Sequence, residues 1–187
     1  MADYFRIYIS YHFGGAYHDI KLRLKTQSIA DCWNLFNDTD IWVVGMPNIG
    51  GVSGAEKVKQ YILENEINGT DLIISKDGKW DKKNSNEKNL VGNGAWIARP
   101  MTEIFQKVNA FAEKRLDIWF EKIKEHPVLH FARCCQKGEV PGYPVYWSAI
   151  LGDIFHPYQA VYLSHVNRGM PRYQTAAYQD KSENVET

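Results

Sequence analysis

The sequence lacks an excess of charge of either sign. It has 22 Lys and Arg residues against 22 Asp and Glu residues, so its formal net charge is zero. Proteins that bind nucleic acid or anionic membranes normally carry clustered positive charge. We therefore expect neither nucleic acid nor a membrane surface as a partner. The 44% hydrophobic and 24% charged content is typical of a globular chain and excludes a disordered one.

Cysteines and long apolar runs are also scarce. The three cysteines, of which Cys134 and Cys135 are adjacent, do not form the dense framework of a small secreted domain. The start Met1 to Arg6 lacks the basic and apolar regions of a signal peptide, and we find no apolar run long enough for a membrane span. These absences predict a cytoplasmic protein without a membrane anchor.

A phosphate-binding motif is present only in part. The loop after Gly45 has a second glycine at Gly50, which is the spacing of a P-loop, but Gly51 and Val52 stand where Lys and Ser or Thr are needed. This excludes an NTPase. The remaining interpretations are a helix-preceding loop whose amides hold an anion, or a plain connection closed by Ser53 as N-cap.

Metal-ligand residues occur at a suggestive spacing in one segment. His126, His130 and Cys134 are four residues apart, which would place them on one face of a helix. Pro127 interrupts that helix, and Val128 to Ala132 is typical of a strand. We therefore predict no metal site and no resident cofactor.

Aromatic residues are abundant and unevenly placed. They make up 13% of the chain. One group lies between Tyr4 and Tyr17, and a second follows Tyr143. Side chains of this kind fill cores or line binding surfaces. The first group is a candidate pocket edge and the second a candidate docking surface.

The first half of the chain predicts a βαβ arrangement. Tyr4 to Tyr11 is rich in aromatic and β-branched residues and indicates a strand. Ile41 to Gly45 is a continuous apolar run typical of a strand buried on both faces. The stripe within Gly54 to Ile67 predicts a helix, and Asp71 to Ser75 predicts a third strand. Residues 16–36 fit a helix, which we prefer because Ile29, Trp33 and Phe36 have helical spacing. The first part of this segment would also fit a second strand that forms a hairpin with the first.

The second half has fewer regular signals. Lys76 to Gly94 is polar and predicts an exposed loop, and the apolar spacing from Ile97 to Ile123 predicts a helix with Pro100 in its first turn. A strand at Val128 to Ala132 and short helices near 147–155 and 159–166 complete the prediction. The fold class is α/β, with a short, mostly parallel sheet flanked by helices. We expect a single domain, 1–187, made of an α/β portion (1–125), an aromatic extension (126–178) and a polar tail (179–187).

Several segments of the first half resemble a known family. The opening run Phe5 to His12 is similar to the first strand of TIR-like domains, and Val58 to Ile62 leading into Thr70 to Ile74 resembles the following helix and strand. The Trp96-Ile97 and Glu103-Ile104 pairs are similar to the pattern that carries the catalytic glutamate. Nucleoside 2-deoxyribosyltransferases have a similar layout. The resemblance covers about half of the chain.

The resemblance implies cleavage of the N-glycosidic bond of NAD or a related nucleoside. Glu103 would then be the catalytic carboxylate that stabilises positive charge at the ribose, because a carboxylate matches an oxocarbenium-like centre. The alternative for Glu103 is a solvated helix residue. The substrate-binding residues would be drawn from the first strand end, the glycine loop and the Trp motif: Tyr11, His12, Gly14, Gly45, Gly50, Gly51, Ser53 and Trp96.

A second function fits the same sequence. The C-terminal aromatic residues have no catalytic pattern, and residues of this kind are enriched at protein interfaces. The chain would then be a non-enzymatic subunit of a larger assembly, or a homo-oligomer, that docks through this surface. Core packing is the simpler role of the same side chains. The relevant residues are Tyr143, Tyr146, Trp147, Phe155, Tyr158, Tyr162, Tyr173 and Tyr178.

Overall fold

The structure is a computed structural model, and it describes residues 2–19, 22–23, 29–47, 55–71, 90–124, 149–170 and 174–175. Its α-helices and strands in chain order are α1 (Ala2–His12), β1 (Gly15–His18), β2 (Leu22–Arg23), α2 (Ile29–Cys32), β3 (Val43–Pro47), α3 (Ala55–Glu64), β4 (Val91–Ala98), α4 (Glu103–Lys124), α5 (Gly152–Val161), β5 (Val166–Asn167) and β6 (Gln174–Thr175). Two 3₁₀ turns, Trp33–Phe36 and Leu163–His165, follow α2 and α5.

The main sheet has the strand order β1-β4-β3-β5. Both neighbours of β4 are antiparallel to it, and only β3 and β5 are parallel. The mixed α/β class is thus confirmed, whereas the mostly parallel sheet is wrong. The reason is that β3 lies beside β4, a strand that the local sequence pattern does not mark. Strands β2 and β6 form a separate antiparallel pair.

Strand β4 replaces the end of the predicted loop and the start of the predicted helix. Residues 92–94, Gly-Asn-Gly, have low β propensity, but β1 and β3 supply hydrogen-bonding partners on both sides. Pro100 lies in the turn between β4 and α4, so it is not in the first helical turn, and α4 begins at Glu103. The helix predicted for the rest of this segment is confirmed.

Both faces of the central strands are covered. Val43, Trp96 and Ala98 belong to the larger core, which the helices α1, α3, α4 and α5 complete. Val44, Ala95 and Ile97 face a smaller core formed with Cys32 and Met170. The prediction that the Ile41 to Gly45 run is a strand buried on both faces is confirmed, with the strand at Val43–Pro47.

The first element is a helix, and the predicted strand at Tyr4 to Tyr11 is wrong. Tyr4, Ile7 and Tyr11 recur at helical spacing and pack into the larger core, where Ile7 is fully buried. The helix lies along α4, to which the Tyr4 hydroxyl is joined by a 2.8 Å hydrogen bond to the Glu113 carboxylate. Aromatic and β-branched residues favour strands only moderately, so burial of this stripe decides the conformation.

The segment after α1 follows neither interpretation in full. Strand β1 does begin at Gly15, but it pairs with β4 and follows a helix, so it is not half of a hairpin. Helical structure is confirmed only from Ile29 onward. Gly14 has a φ of +64°, and a Cβ there would lie 2.7 Å from both the Ala98 carbonyl oxygen and the Pro100 Cδ. The turn between α1 and β1 therefore requires glycine.

The helix predicted at Gly54 to Ile67 is confirmed as α3, which ends at Glu64. Val58 and Ile62 are buried on its inner stripe. Ser53, the predicted cap, lies outside the described residues. Asp71 is in a bend, and the rest of the predicted third strand, the Lys76 loop up to residue 89 and the strand at Val128 to Ala132 also lie outside them.

In place of the two short helices predicted near 147–155 and 159–166, the described residues contain one helix, α5, which ends at Val161, followed by the 3₁₀ turn Leu163–His165. Every residue of α5 is buried, and Pro157 lies inside it. The sequence prediction placed a break there because proline usually ends a helix. Contacts with α3, α4 and β4 surround α5. Of the helices in the described ranges, none is long and apolar enough to cross a membrane.

Candidate functional site

Charged and polar side chains converge at the first turn of α4. The Lys107 ammonium lies 2.8 Å from Glu103 Oε1, one helical turn along. The Tyr162 hydroxyl, at the end of α5, donates a 2.7 Å hydrogen bond to the same oxygen and accepts a 2.6 Å bond from Lys107 Nζ. Each of the three groups therefore contacts the other two. We call these residues the Glu103 cluster.

The cluster keeps Glu103 ionised. The hydrogen bonds from Lys107 and Tyr162 lower the pKa of the Glu103 carboxyl below its ordinary value. The Glu103 contact in turn raises the pKa of Lys107, and burial raises the pKa of the Tyr162 hydroxyl. The start of a helix also favours negative charge. The Glu103 side chain is 46% exposed, so an anionic carboxylate is presented to solvent.

One oxygen of that carboxylate is available. Both protein contacts of Glu103 use Oε1, and Oε2 makes no hydrogen bond or ion pair within the described part of the chain. The position of Oε1 is fixed because Tyr162 is only 1% exposed and is therefore held by the core. Oε2 can thus face a bound molecule from a fixed position.

A histidine and a tryptophan lie next to the cluster. The rings of His165 and Trp42 are stacked, with centroids 3.7 Å apart and planes inclined by 5°, and Tyr162 lies 5.6 Å from Trp42. His165 Nδ1 is 2.6 Å from the carbonyl oxygen of Asp40. A carbonyl can only accept, so Nδ1 carries the proton and Nε2 of the neutral ring is the basic nitrogen.

Backbone contacts hold this turn in place. The Trp42 amide donates to the His165 carbonyl at 2.9 Å. The carboxylate of Asp71 accepts hydrogen bonds from the Ser164 amide at 2.8 Å and from its hydroxyl at 3.0 Å. The 3₁₀ turn after α5 is thereby tied to the start of β3 and to the segment beyond α3. These ties fix the direction of His165 and Trp42.

The site residues predicted from the sequence do not all lie together. Tyr11 is near Glu103, because its carbonyl accepts a 2.7 Å hydrogen bond from the Met101 amide, two residues before α4. His12 is exposed and contacts Tyr8, with ring centroids 4.2 Å apart. Gly14 serves the turn described above. Gly50, Gly51 and Ser53 lie outside the described residues.

Trp96 and Gly45 are part of the core. Trp96 is fully buried, and its indole N–H donates a 2.9 Å hydrogen bond to the Ser10 hydroxyl. Gly45 is buried in β3, where a Cβ would lie 2.1 Å from a methyl group of Val91. Both residues therefore have structural roles that explain their identity without a ligand.

Four residues of the site, Lys107, Tyr162, His165 and Trp42, were not predicted as site residues from the sequence. Lys107 could have been found, because its i+4 spacing from Glu103 on a predicted helix places the two side chains together. Tyr162 and His165 come from a distant helix end, and no local signal connects them to α4. Within the described ranges, no group of three or more His, Cys, Asp or Glu residues is arranged to hold a metal ion.

No protein-family model, curated protein or solved structure matches this chain. The Glu103 cluster offers a fixed anionic oxygen, and the neighbouring His165 and Trp42 add a basic imidazole nitrogen and an aromatic surface. Such a set can stabilise a developing cation and accept a proton from water.

Proposed function

We propose that the chain binds a nucleotide of the NAD type, or a related nucleoside, at the Glu103 cluster and cleaves its N-glycosidic bond. The observation that carries this proposal is the ionised Glu103 carboxylate, whose Oε1 is held by Lys107 and Tyr162 while Oε2 makes no hydrogen bond or ion pair with the described residues. Cleavage of this bond creates positive charge on the ribose, which a fixed carboxylate stabilises.

The reaction follows from the charges. The bond between ribose C1′ and the base nitrogen breaks, and its electron pair stays on the nitrogen. In NAD that nitrogen is cationic, so nicotinamide leaves neutral and requires no proton. Water then bonds to C1′ and loses one proton. His165 Nε2 is the base next to the cluster that can accept it.

The neighbours of Glu103 have separate roles in this scheme. Lys107 and Tyr162 position the carboxylate and lower its pKa. Trp42, stacked on His165, holds the imidazole plane and adds aromatic surface of the kind on which a flat base packs. The attraction of Oε1 to Lys107 weakens the field of the carboxylate, so catalysis depends on the unbonded Oε2.

The experiment measures nicotinamide release from NAD, with purine and pyrimidine nucleosides as further substrates. We expect turnover by the wild-type chain and a loss of about 100-fold or more in Glu103→Gln, which keeps the shape and removes the charge. The matched control is Glu121→Gln, an exposed glutamate of the same helix paired with Lys124. Absence of turnover in the wild type, or equal turnover in Glu103→Gln, would contradict the proposal.

A second candidate function is supported by a different surface. Phe155, Tyr158 and Tyr162 of the C-terminal aromatic group are buried, so these three do not form a docking surface. The other members of that group lie outside the described residues. Large exposed apolar side chains occur instead at the outer side of α1 and at the turn beside its end: Phe5, Tyr8, Phe13 and Met101.

As the second candidate function, we propose that the chain is a non-enzymatic interaction subunit, which binds another protein chain through this aromatic face of α1. Phe5 is 64% and Phe13 is 71% exposed. Arg6, beside them, is paired with Asp3 and Asp19, so its positive charge is already compensated and does not favour an anionic membrane. Light scattering over a wide concentration range tests a second copy as partner. Self-association that Phe5→Ser abolishes would support it, and a monomer at every concentration would exclude that partner.

A further inference from the structure

A cavity of about 430 Å³ lies between the end of α3 and the second half of α4. Its volume is within the range of small-molecule sites, about 300–1,000 Å³. None of its lining residues belongs to the Glu103 cluster. The lining combines acidic, basic and apolar side chains: Glu64, Asn65, Glu66, Phe111, Lys114, Arg115, Ile118 and Trp119.

Arg115 is a buried cation for which the described part of the chain supplies no acidic partner. The residue is 9% exposed, and its guanidinium carbon lies 4.7 Å from the ring centroid of Tyr61, 4.8 Å from that of Phe111 and 5.5 Å from that of Trp119. One nitrogen donates a 2.6 Å hydrogen bond to the Ala149 carbonyl. Among the described residues no carboxylate lies within ion-pair distance of it. Buried charges are normally paired, so this guanidinium is suited to an anionic group of a ligand.

Lys114 adds a second positive charge to the same wall. It is exposed and precedes Arg115 on α4. No ion pair or hydrogen bond joins its ammonium to another part of the described chain. Both cations line the cavity, so both contribute to the attraction of a carboxylate.

The opposite wall is negative. Glu64 and Glu66 lie at the C-terminal end of α3, where the helix dipole already places partial negative charge, and no basic residue occurs in the last turn. Glu66 has a φ of +51°, a position at which glycine is preferred. The Ile67 amide closes this end with a 2.9 Å hydrogen bond to the Ile62 carbonyl. The potential at this wall favours an ammonium group.

We propose that the cavity binds a small zwitterion of the amino-acid type. Its carboxylate would contact Arg115 and Lys114, its ammonium would contact Glu66 and Glu64, and its apolar side chain would pack on Ile118 and Trp119. A purely cationic ligand would meet the two basic residues, and a purely anionic one would meet the two glutamates. Only a molecule that carries both charges complements both walls.

The test is a titration with L-leucine followed by amide chemical shifts and by calorimetry. We expect saturable binding with shifts confined to the ends of α3 and the second half of α4. N-acetyl-L-leucine lacks the ammonium, and isoamylamine lacks the carboxylate. Each should bind at least about tenfold more weakly, the loss of one charge-assisted hydrogen bond. Leucyl-leucine separates a free amino acid from a peptide end as the natural source.

Two surface variants keep the test independent of folding. Glu66→Gly removes the carboxylate and relieves the positive φ, and Lys114→Gln removes the exposed ammonium. Each should weaken leucine binding at least about tenfold, whereas Lys124→Gln, an exposed lysine of the same helix, should not. Glu103→Gln should bind leucine normally, which separates this site from the proposed catalytic one. No saturable binding at millimolar leucine, or equal binding of the three compounds, would overturn the proposal.

Discussion

The Tyr162 hydroxyl donates a 2.7 Å hydrogen bond to Glu103 Oε1 across 59 positions of the chain. The bond joins the end of a fully buried helix to the first residue of a partly exposed one. Because the tyrosine ring is held by the core, it fixes the direction of a carboxylate that would otherwise move freely in solvent. The Glu103 cluster is therefore positioned by the packing of α5.

Replacing Tyr162 by phenylalanine should leave the ring packing intact and remove both hydrogen bonds of the hydroxyl. We expect the free energy of unfolding to fall by about 1.5–3 kcal/mol, the net contribution of hydrogen bonding to charged groups. The pKa of Glu103 should rise, because one of the groups that lower it is lost. Urea denaturation and a carboxyl-selective NMR titration measure the two effects. An unchanged Glu103 titration would show that the hydroxyl does not act on it.

Lys107→Met should raise the pKa of Glu103 further than Tyr162→Phe does, because Lys107 is the main cause of the lowered value. A carboxyl whose folded pKa is depressed stabilises the protein above its unfolded pKa, and this contribution is lost as the pH falls through the folded value. In Lys107→Met, less stability should therefore be lost on acidification in this range. The same NMR titration checks the order of the two variants. A larger pKa change in Tyr162→Phe would contradict it.

His156 should make the protein sensitive to mild acid. The residue is 1% exposed, neither ring nitrogen makes a hydrogen bond of normal geometry to the described part of the chain, and burial lowers its pKa from 6.5 to about 4. The unfolded chain binds the proton first, so stability is lost as the pH falls from 6.5 towards 4, by at most about 3 kcal/mol.

The replacement His156→Leu should remove this part of the pH dependence. It also removes two buried nitrogens without partners, so the variant should not lose the stability that a polar deletion normally costs. Urea denaturation at a series of pH values compares the two proteins. The replacement His18→Gln, which removes an exposed histidine, is the control. Parallel pH profiles for wild type and His156→Leu would contradict the assignment.

Gly14→Ala should destabilise the protein by about 2–4 kcal/mol. The positive φ of Gly14 strains any other residue by about 1 kcal/mol or more, and the new Cβ would collide with the Ala98 carbonyl and Pro100. Gly15 also has a positive φ, 91°, but nothing lies within 4 Å of its Cβ position. Gly15→Ala should therefore show only the backbone strain. Equal losses in urea denaturation would mean that the collision is relieved by movement of the turn.

Local periodicity was sufficient for several elements. The stripe of α3 and the long spacing of α4 each predict a helix that the structure contains, and the apolar run of β3 predicts a strand buried on both faces. These patterns are strong because the same arrangement of apolar residues continues over the whole element. The predictions for the segments that form α1 and β4 were wrong for opposite reasons. The residues of α1 suit either conformation, and those of β4 include two glycines that suit neither.

The candidate site divides in the same way. Glu103 and Lys107 are one helical turn apart, so a predicted helix is enough to bring them together. Trp96, which the sequence pattern paired with Glu103, is instead a core residue because its strand is central in the sheet. Tyr162 and His165 come close to Glu103 only because α5 packs between α3, α4 and the sheet.

The sequence by itself determined the neutral charge balance, the mixed α/β class, the positions of β3, α3 and α4, and the Glu103–Lys107 pair. These features depend on composition or on residues within a few positions of one another. Only the tertiary structure decided the antiparallel place of β4, the helical state of α1 and the contact of Tyr162 with Glu103. Each of these depends on which distant segment supplies the hydrogen-bonding partner or covers the apolar side chain, and that choice is made by the packing of the whole chain.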